Sequence, residues 1–193
     1  MSKRLLIPDF SLPIDIEEYI RVVPATATIK GLFLSGLLDA LGSARPELPQ
    51  GRLRYVAFKD YPLVDQVRLV PQIAAKMYPT LKPRDAMRRI GHSIYPTFAT
   101  SLVGRVLFAA VGRDPAAMLQ AGAKAYAISS NVGKVEILEQ REGYALLNMH
   151  EMFNYIDCYQ VGILEGALSV IGLKASVRIH LDTLTSGIFE LTW

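Results

Sequence analysis

The side chains with chemistry to offer in this sequence are three histidines, one cysteine, a basic run and a scatter of aromatic residues. His92, His150 and His180 stand far apart. No pair has the i,i+4 spacing by which a helix presents two metal ligands on one face. Cys158 admits two readings. As a nucleophile it would need a distant histidine and a thiol made acidic by the start of a helix. As a buried residue it is a small inert hydrophobe. A single cysteine leaves no internal disulfide and no multi-cysteine metal site within one chain. Neither Gly-x-Ser-x-Gly nor Gly-x-x-x-x-Gly-Lys-Ser/Thr occurs, so the commonest serine-nucleophile and phosphate-cradle signatures are missing.

Lys82, Arg84, Arg88, Arg89 and His92 form a basic cluster, in which Arg84, Arg88 and His92 share a helix face. Read for function, Arg84, Arg88 and Arg89 make a patch for an anion or an acidic partner. Read for structure, they are a solvated face. No aromatic residues interleave with them as base stacking requires. The 21 basic and 18 acidic residues are interspersed along the chain, which does not suit a nucleic-acid binder. Phe33, Tyr95, Phe98, Phe108 and Tyr126, with Phe58 in a loop, are candidate walls of an apolar ligand pocket, or else members of an ordinary core. Gly162-Ile-Leu-Glu-Gly166 would let a helix lie close to the sheet or to another helix. Glu165, inside it, reads as an exposed stripe on that helix.

These residues need elements to hold them. The first 26 residues, with Pro8, Pro13 and Pro24, read as an N-terminal arm with one extended piece at Tyr19–Val23. Thr26 or Thr28 caps a helix running to about Leu41, in which Gly31 and Gly36 permit close packing. Residues 43 to 61 read as a loop. Pro62 opens a short helix that ends or kinks at Pro71 and continues to about Met77. Pro83 opens the next helix, which Pro96 kinks or breaks before the pattern resumes from Phe98 to Ala110. Asp114-Pro115 starts another, to about Ser129. From Asn131 the period changes to two. Lys134–Gln140 and Tyr144–His150 form a hairpin about Arg141-Glu-Gly143. A buried helix covers Asp157–Ile171 and is capped by Gly172. The strand from Lys174 to Asp182 alternates cleanly and pairs with Ile188–Trp193. The expected fold class is α+β: N-terminal helices (27–130) packed on a C-terminal antiparallel sheet of about four strands in ββαββ order (131–193), one domain behind the arm.

At 193 residues, with 51% hydrophobic and 20% charged residues, the chain can bury a core without staples. No apolar run reaches the roughly 18 residues of a membrane span, and the basic start is cut off by Pro8 and Asp9 too early for a signal peptide. The expected location is the cytoplasm.

The C-terminal spacing Cys158-x3-Gly162-x3-Gly166-x5-Gly172-x4-Val177, then Gly187-x-Phe189-x-Leu191-x-Trp193, resembles the closing motif of the superfamily of ligand-binding domains in nitric-oxide signalling and Golgi transport. That superfamily joins haem nitric-oxide/oxygen-binding domains, the four-vinyl-reductase domain and the vesicle-tethering TRAPP subunits. The whole chain is also similar to a family of unknown function with many paralogues in myxobacteria. Ile29-Lys-Gly-Leu-Phe33, Asp60-Tyr-Pro-Leu63, Tyr95-Pro-Thr-Phe-Ala99, Gly104-Arg105 and Val161–Gly166 carry that likeness. The resemblance implies a non-enzymatic sensory or adaptor domain, a homodimer that takes a small apolar ligand or a protein partner, with no cofactor. Two alternatives accompany it. One is a haem gas sensor with His92 as the iron ligand, although Tyr126-Ala-Ile-Ser-Ser-Asn131 departs from the Tyr-x-Ser-x-Arg motif that holds haem propionates in that branch. The other is an enzyme using Cys158.

Overall fold

The computed structural model describes residues 4–39, 54–100 and 111–193, the last four of the middle segment by backbone alone. The elements in chain order are α1 (Ile16–Val22), β1 (Thr28–Lys30), α2 (Gly31–Asp39), β2 (Asp60–Pro62), α3 (Leu63–Met77), α4 (Pro83–Thr100), α5 (Pro115–Ser129), β3 (Lys134–Arg141), β4 (Tyr144–His150), α6 (Tyr159–Val170), β5 (Ser176–Thr183) and β6 (Ser186–Thr192). The second half follows the expected ββαββ order. Its four strands form one antiparallel sheet, β3-β4-β6-β5. On β4 the alternation puts Ala145, Leu147 and Met149 inward, and on β6 Gly187, Phe189 and Leu191. Gly143, at φ 69°, makes the β3–β4 turn that a residue with a Cβ would strain.

The first half departs from the sequence reading in three places. Residues 16–22 are helical, because Asp15 caps them by accepting from Glu18 N at 3.0 Å. The arm also continues the sheet, since Leu6 exchanges two backbone hydrogen bonds with Ile179 at the edge of β5. Ile29 lies in a strand rather than a helix. β1 pairs antiparallel with β2, a strand in the segment expected to be loop, and α2 begins only at Gly31. There the amides of Gly31 and Leu32 donate to Lys59 O and Ala57 O, which satisfies two of the free N–H groups at the helix start. Finally, neither Pro71 nor Pro96 ends its helix, and α3 and α4 run through them. The expected ends of the helices at Leu41 and Ala110 lie outside the described residues.

Two apolar clusters share the interior. One gathers α1, α2, α3 and α4 around Tyr19, Leu34, Leu37, Val67, Ile73, Met87 and Tyr155. The other sits between α6 and the sheet around Leu147, Ile156, Leu168, Phe189 and Leu191. α6 joins them by lying directly against α4. A Cβ at Gly162 would fall 2.0 Å from Arg88 O, one at Gly166 2.3 Å from His92 O, and one at Gly91 2.1 Å from Tyr159 O. Of the two partners the glycine spacing allowed, the structure selects a helix.

Candidate functional site

Among the described residues, the seam between the two clusters opens into a cavity. The cavity, of about 350 Å³, is walled by α2, α3, α4, α5, α6 and the inner face of the sheet. Ile29, Leu32 and Phe33 form one side, Met118, Leu119 and Ala123 another, and Val135, Leu147 and Met149 the floor. Ile163, Leu164 and Ala167 come from α6. Three features of local sequence create the space. Gly36 has nothing within 4 Å of where its Cβ would be, so α2 leaves a gap instead of a side chain. Gly122 makes room for Tyr95, whose Oη would lie 2.7 Å from a Cβ placed there. β1 is fixed to the end of α5 by Asn131, which accepts from Thr28 N at 2.7 Å and donates to Thr26 O at 2.9 Å. Ile29, the residue after those anchors, forms a β-bridge with Ser130 and is thereby held in the wall.

The cavity has a polar side. Gln66 from α3, Asn154 from the segment before α6, and Tyr159 and Gln160 at the start of α6 all border it. Gln160 Nε2 donates to Asn154 Oδ1 at 3.0 Å. Gln66 stands beside the Tyr159 hydroxyl and eases its ionisation, but burial outweighs this and pushes the phenol well up. Burial likewise pushes Tyr126 up and Tyr95 up to about 12, so the three phenols stay protonated at neutral pH. Gln66 Oε1 and Tyr126 Oη have no hydrogen-bond partner.

Among the residues proposed from sequence, Phe33, Tyr95 and Tyr126 line this cavity together. Phe108 lies outside the described residues, and Phe98 is described by backbone alone. Phe58 is 78% exposed and belongs to no core. The arginines have internal partners. Arg88 holds Glu165 with two hydrogen bonds of 2.7 and 2.8 Å and lies 4.7 Å from the centre of the Phe10 ring. Arg84 pairs with the largely buried Asp157, and Arg89 reaches Asp85 at 3.9 Å while remaining 58% exposed. Glu165 is therefore not an exposed stripe; it fastens α6 to α4. Cys158 is fully buried, and desolvation pushes its thiol up to about 12. A helix start therefore does not activate it, and the nucleophile reading falls. The residues that sequence reasoning missed are Gln66, Asn154, Tyr159 and Gln160. The one available signal was a polar amide inside an otherwise apolar helical stripe, as at Gln66 between Leu63 and Val70.

A haem, the cofactor of one branch of the resembled superfamily, needs an axial ligand and cations for its propionates. His92 does not supply the ligand. Its side chain is exposed and is not in the described wall, while its backbone packs on Gly162 and Gly166. His150 is exposed, and His180 faces Arg4 O at 3.2 Å. The described wall holds no histidine, lysine or arginine, and its one carboxylate is Asp39. Its phenols are held protonated, which opposes tyrosinate ligation. The described residues do not fit a haem. Nor do any three His, Cys, Asp or Glu side chains among them gather to hold a metal ion. No helix among them is long and apolar enough to cross a membrane.

A sequence profile described as a protein of unknown function (DUF2378) matches residues 22–193. Comparison with curated protein sequences finds no match. Solved structures with a similar fold include an unliganded Fe(II) H-NOX protein from K. algicida. It has a TM-score of 0.61 and 14% identity, over 85% of this chain and 96% of that one. An H-NOX protein from S. oneidensis in the Fe(II)NO state has a TM-score of 0.62 and 13% identity, over 84% of this chain and 98% of the other. The likeness establishes the H-NOX-like fold.

Proposed function

The chain belongs to the DUF2378 family of proteins of unknown function, and from that premise we propose that it is a non-enzymatic sensory or adaptor domain whose cavity takes a small apolar ligand. The observation that carries this is the apolar cavity of about 350 Å³ at the seam of the two clusters. A core seam normally closes to crystal-like density. Apolar surface left facing a space of this size is not buried, and an apolar occupant would bury it. The volume lies at the small end of ligand sites, about 300–1,000 Å³.

The walls come from five helices and the sheet, so an occupant contacts every layer of the fold. Binding would favour one arrangement of those helices over another and change what a partner meets at the surface. Self-association as a homodimer belongs to the same proposal. β3 is a sheet edge, and Leu138 on it and Ile128 at the end of α5 are 52% and 76% exposed. The lone, buried thiol suits a cytoplasmic setting. The haem reading has the fold of the H-NOX proteins in its favour and the cavity wall against it.

Native mass spectrometry of the purified protein tests the proposal. The expected result is a dimer carrying a low-mass molecule that an Ala123→Phe variant, with its cavity filled, no longer carries. Circular dichroism checks that this variant stays folded. A strict monomer that holds no such molecule and binds no apolar compound overturns the proposal.

A further inference from the structure

We infer that the ligand of this cavity is an uncharged molecule with an apolar body and one hydrogen-bond donor, such as a hydroxyl, which Gln66 recognises. The inference rests on the reading of the cavity as a ligand site and specifies what that site selects.

Among the described residues, three buried side-chain nitrogen or oxygen atoms have no partner: Gln66 Oε1, Tyr126 Oη and Gln140 Nε2. Two of the three belong to residues that line the cavity. Gln66 is only 4% exposed, so its amide faces the cavity and not bulk solvent. Buried polar groups in folded proteins are nearly always paired, and an unpaired one marks a place where something else completes the bond. Gln160 and Asn154 bond to each other, the Ser130 hydroxyl beside Tyr126 donates to Thr28 O at 2.8 Å, and the Tyr159 hydroxyl stands beside the Gln66 amide without using up its oxygen. An amide oxygen accepts only, so its missing partner is a donor.

The rest of the wall sets the charge. An anionic head would meet no cation among the described wall residues, and a cationic one would meet only Asp39, which already has an interaction of its own. An isolated charge without a counter-ion is expelled from such surroundings. Size follows from volume. If each non-hydrogen atom takes roughly the 30 Å³ share of a water molecule, the 350 Å³ cavity holds about a dozen.

Three probes of equal size separate the contributions: 4-butylphenol, its isomer 4-propylanisole, which accepts but cannot donate, and pentylbenzene. Equilibrium dialysis against the full-length protein should show 4-butylphenol binding about tenfold more tightly than either of the others, in line with one neutral hydrogen bond to a buried acceptor. In a Gln66→Leu variant that advantage should vanish while pentylbenzene still binds. Retained pentylbenzene binding shows that this variant is folded and its cavity intact. Equal binding of all three probes by the parent protein, or an undiminished preference in Gln66→Leu, overturns the recognition role of Gln66 and leaves the apolar site standing. Failure of every probe to bind, with Ala123→Phe indistinguishable from the parent, overturns the underlying cavity reading as well.

Discussion

Tyr155 donates its hydroxyl to the backbone carbonyl of Val67 at 2.6 Å, and Val67 is the residue whose helical partner is missing. Four residues on stands Pro71, which has no N–H to give. The carbonyl would otherwise be a buried, unpaired acceptor in the middle of α3. Tyr155 sits in the left-handed region at φ 57° and is fully buried, so the segment before α6 is bent to bring the phenol there. This bond lets α3 run through its proline, and it couples α3 to the entrance of α6.

Tyr155→Phe should therefore destabilise the fold by about 1–3 kcal/mol, the cost of leaving a buried acceptor unmet. Pro71→Ala restores an N–H at the position that Val67 needs. In that background Tyr155→Phe should cost less, and the difference is the coupling between the two sites. Urea denaturation of the four proteins measures it. Equal costs in both backgrounds would separate Tyr155 from the proline.

The glycines of α6 give a sharper contrast. A Cβ at Gly162 would lie 2.0 Å from a backbone oxygen of α4, where nothing flexible can yield. Gly162→Ala should cost more than about 2 kcal/mol or force the helices apart, in the range of strong overpacking. Gly36→Ala, also in a helix but with open space around it, should be neutral or stabilising by up to about 1 kcal/mol. Thermal melts of the two variants rank them, and comparable losses would show that helix contact is not what the glycine at 162 provides.

The parts of this fold that were legible in sequence are those whose period persists. Val177 and Ile179 alternate with Arg178 and His180 for long enough to fix a strand, and Asp114-Pro115 is a start signal that needs no tertiary help. β1 and β2 were not legible, because three residues cannot display a period and their pairing joins segments 30 residues apart. Pro71 misled because the group that rescues its helix lies 84 residues further along, at Tyr155. Phe33, Tyr95 and Tyr126, proposed by size and type alone, lie in the wall of one cavity, while Phe108 and the side chain of Phe98 are outside the described residues. Gln66 was missed because a single polar residue in an apolar stripe has the same appearance whether it faces water or a cavity.

Burial of unionised acids makes stability fall at high pH. Cys158, ordinarily 9.0, is raised to about 12, and Tyr95, ordinarily 10.0, also to about 12. Tyr19, Tyr126, Tyr155 and Tyr159 are raised as well, each first by desolvation. With a folded value above the unfolded one, the native state keeps its proton where the unfolded chain has released it. The stabilisation is complete below the unfolded values and is lost as pH rises through them toward the folded ones. Urea midpoints should be flat from these groups up to about pH 9 and then decline steeply. A thiol reagent at pH 7.5 should accordingly label Cys158 only at the rate of unfolding; rapid labelling of the native protein would contradict its burial.

Arg88 and Glu165 supply the polar clamp beside the glycine contact. Their two hydrogen bonds leave the arginine side chain 30% exposed and the carboxylate 12% exposed. Solvent screens part of the attraction, so the net value belongs at the low end for charged pairs. Glu165→Leu leaves Arg88 close to Asp85, with which it already pairs at 3.6 Å, and should cost about 1 kcal/mol. Arg88→Met leaves Glu165 without its bidentate partner in a mostly buried setting and should cost more, about 2 kcal/mol. The double variant removes both charges and restores apolar packing between the helices. Its loss should fall clearly below the sum, because the penalty for the stranded carboxylate disappears with the carboxylate. Urea denaturation at low and high salt checks both points, and strictly additive losses would mean that the two residues act separately.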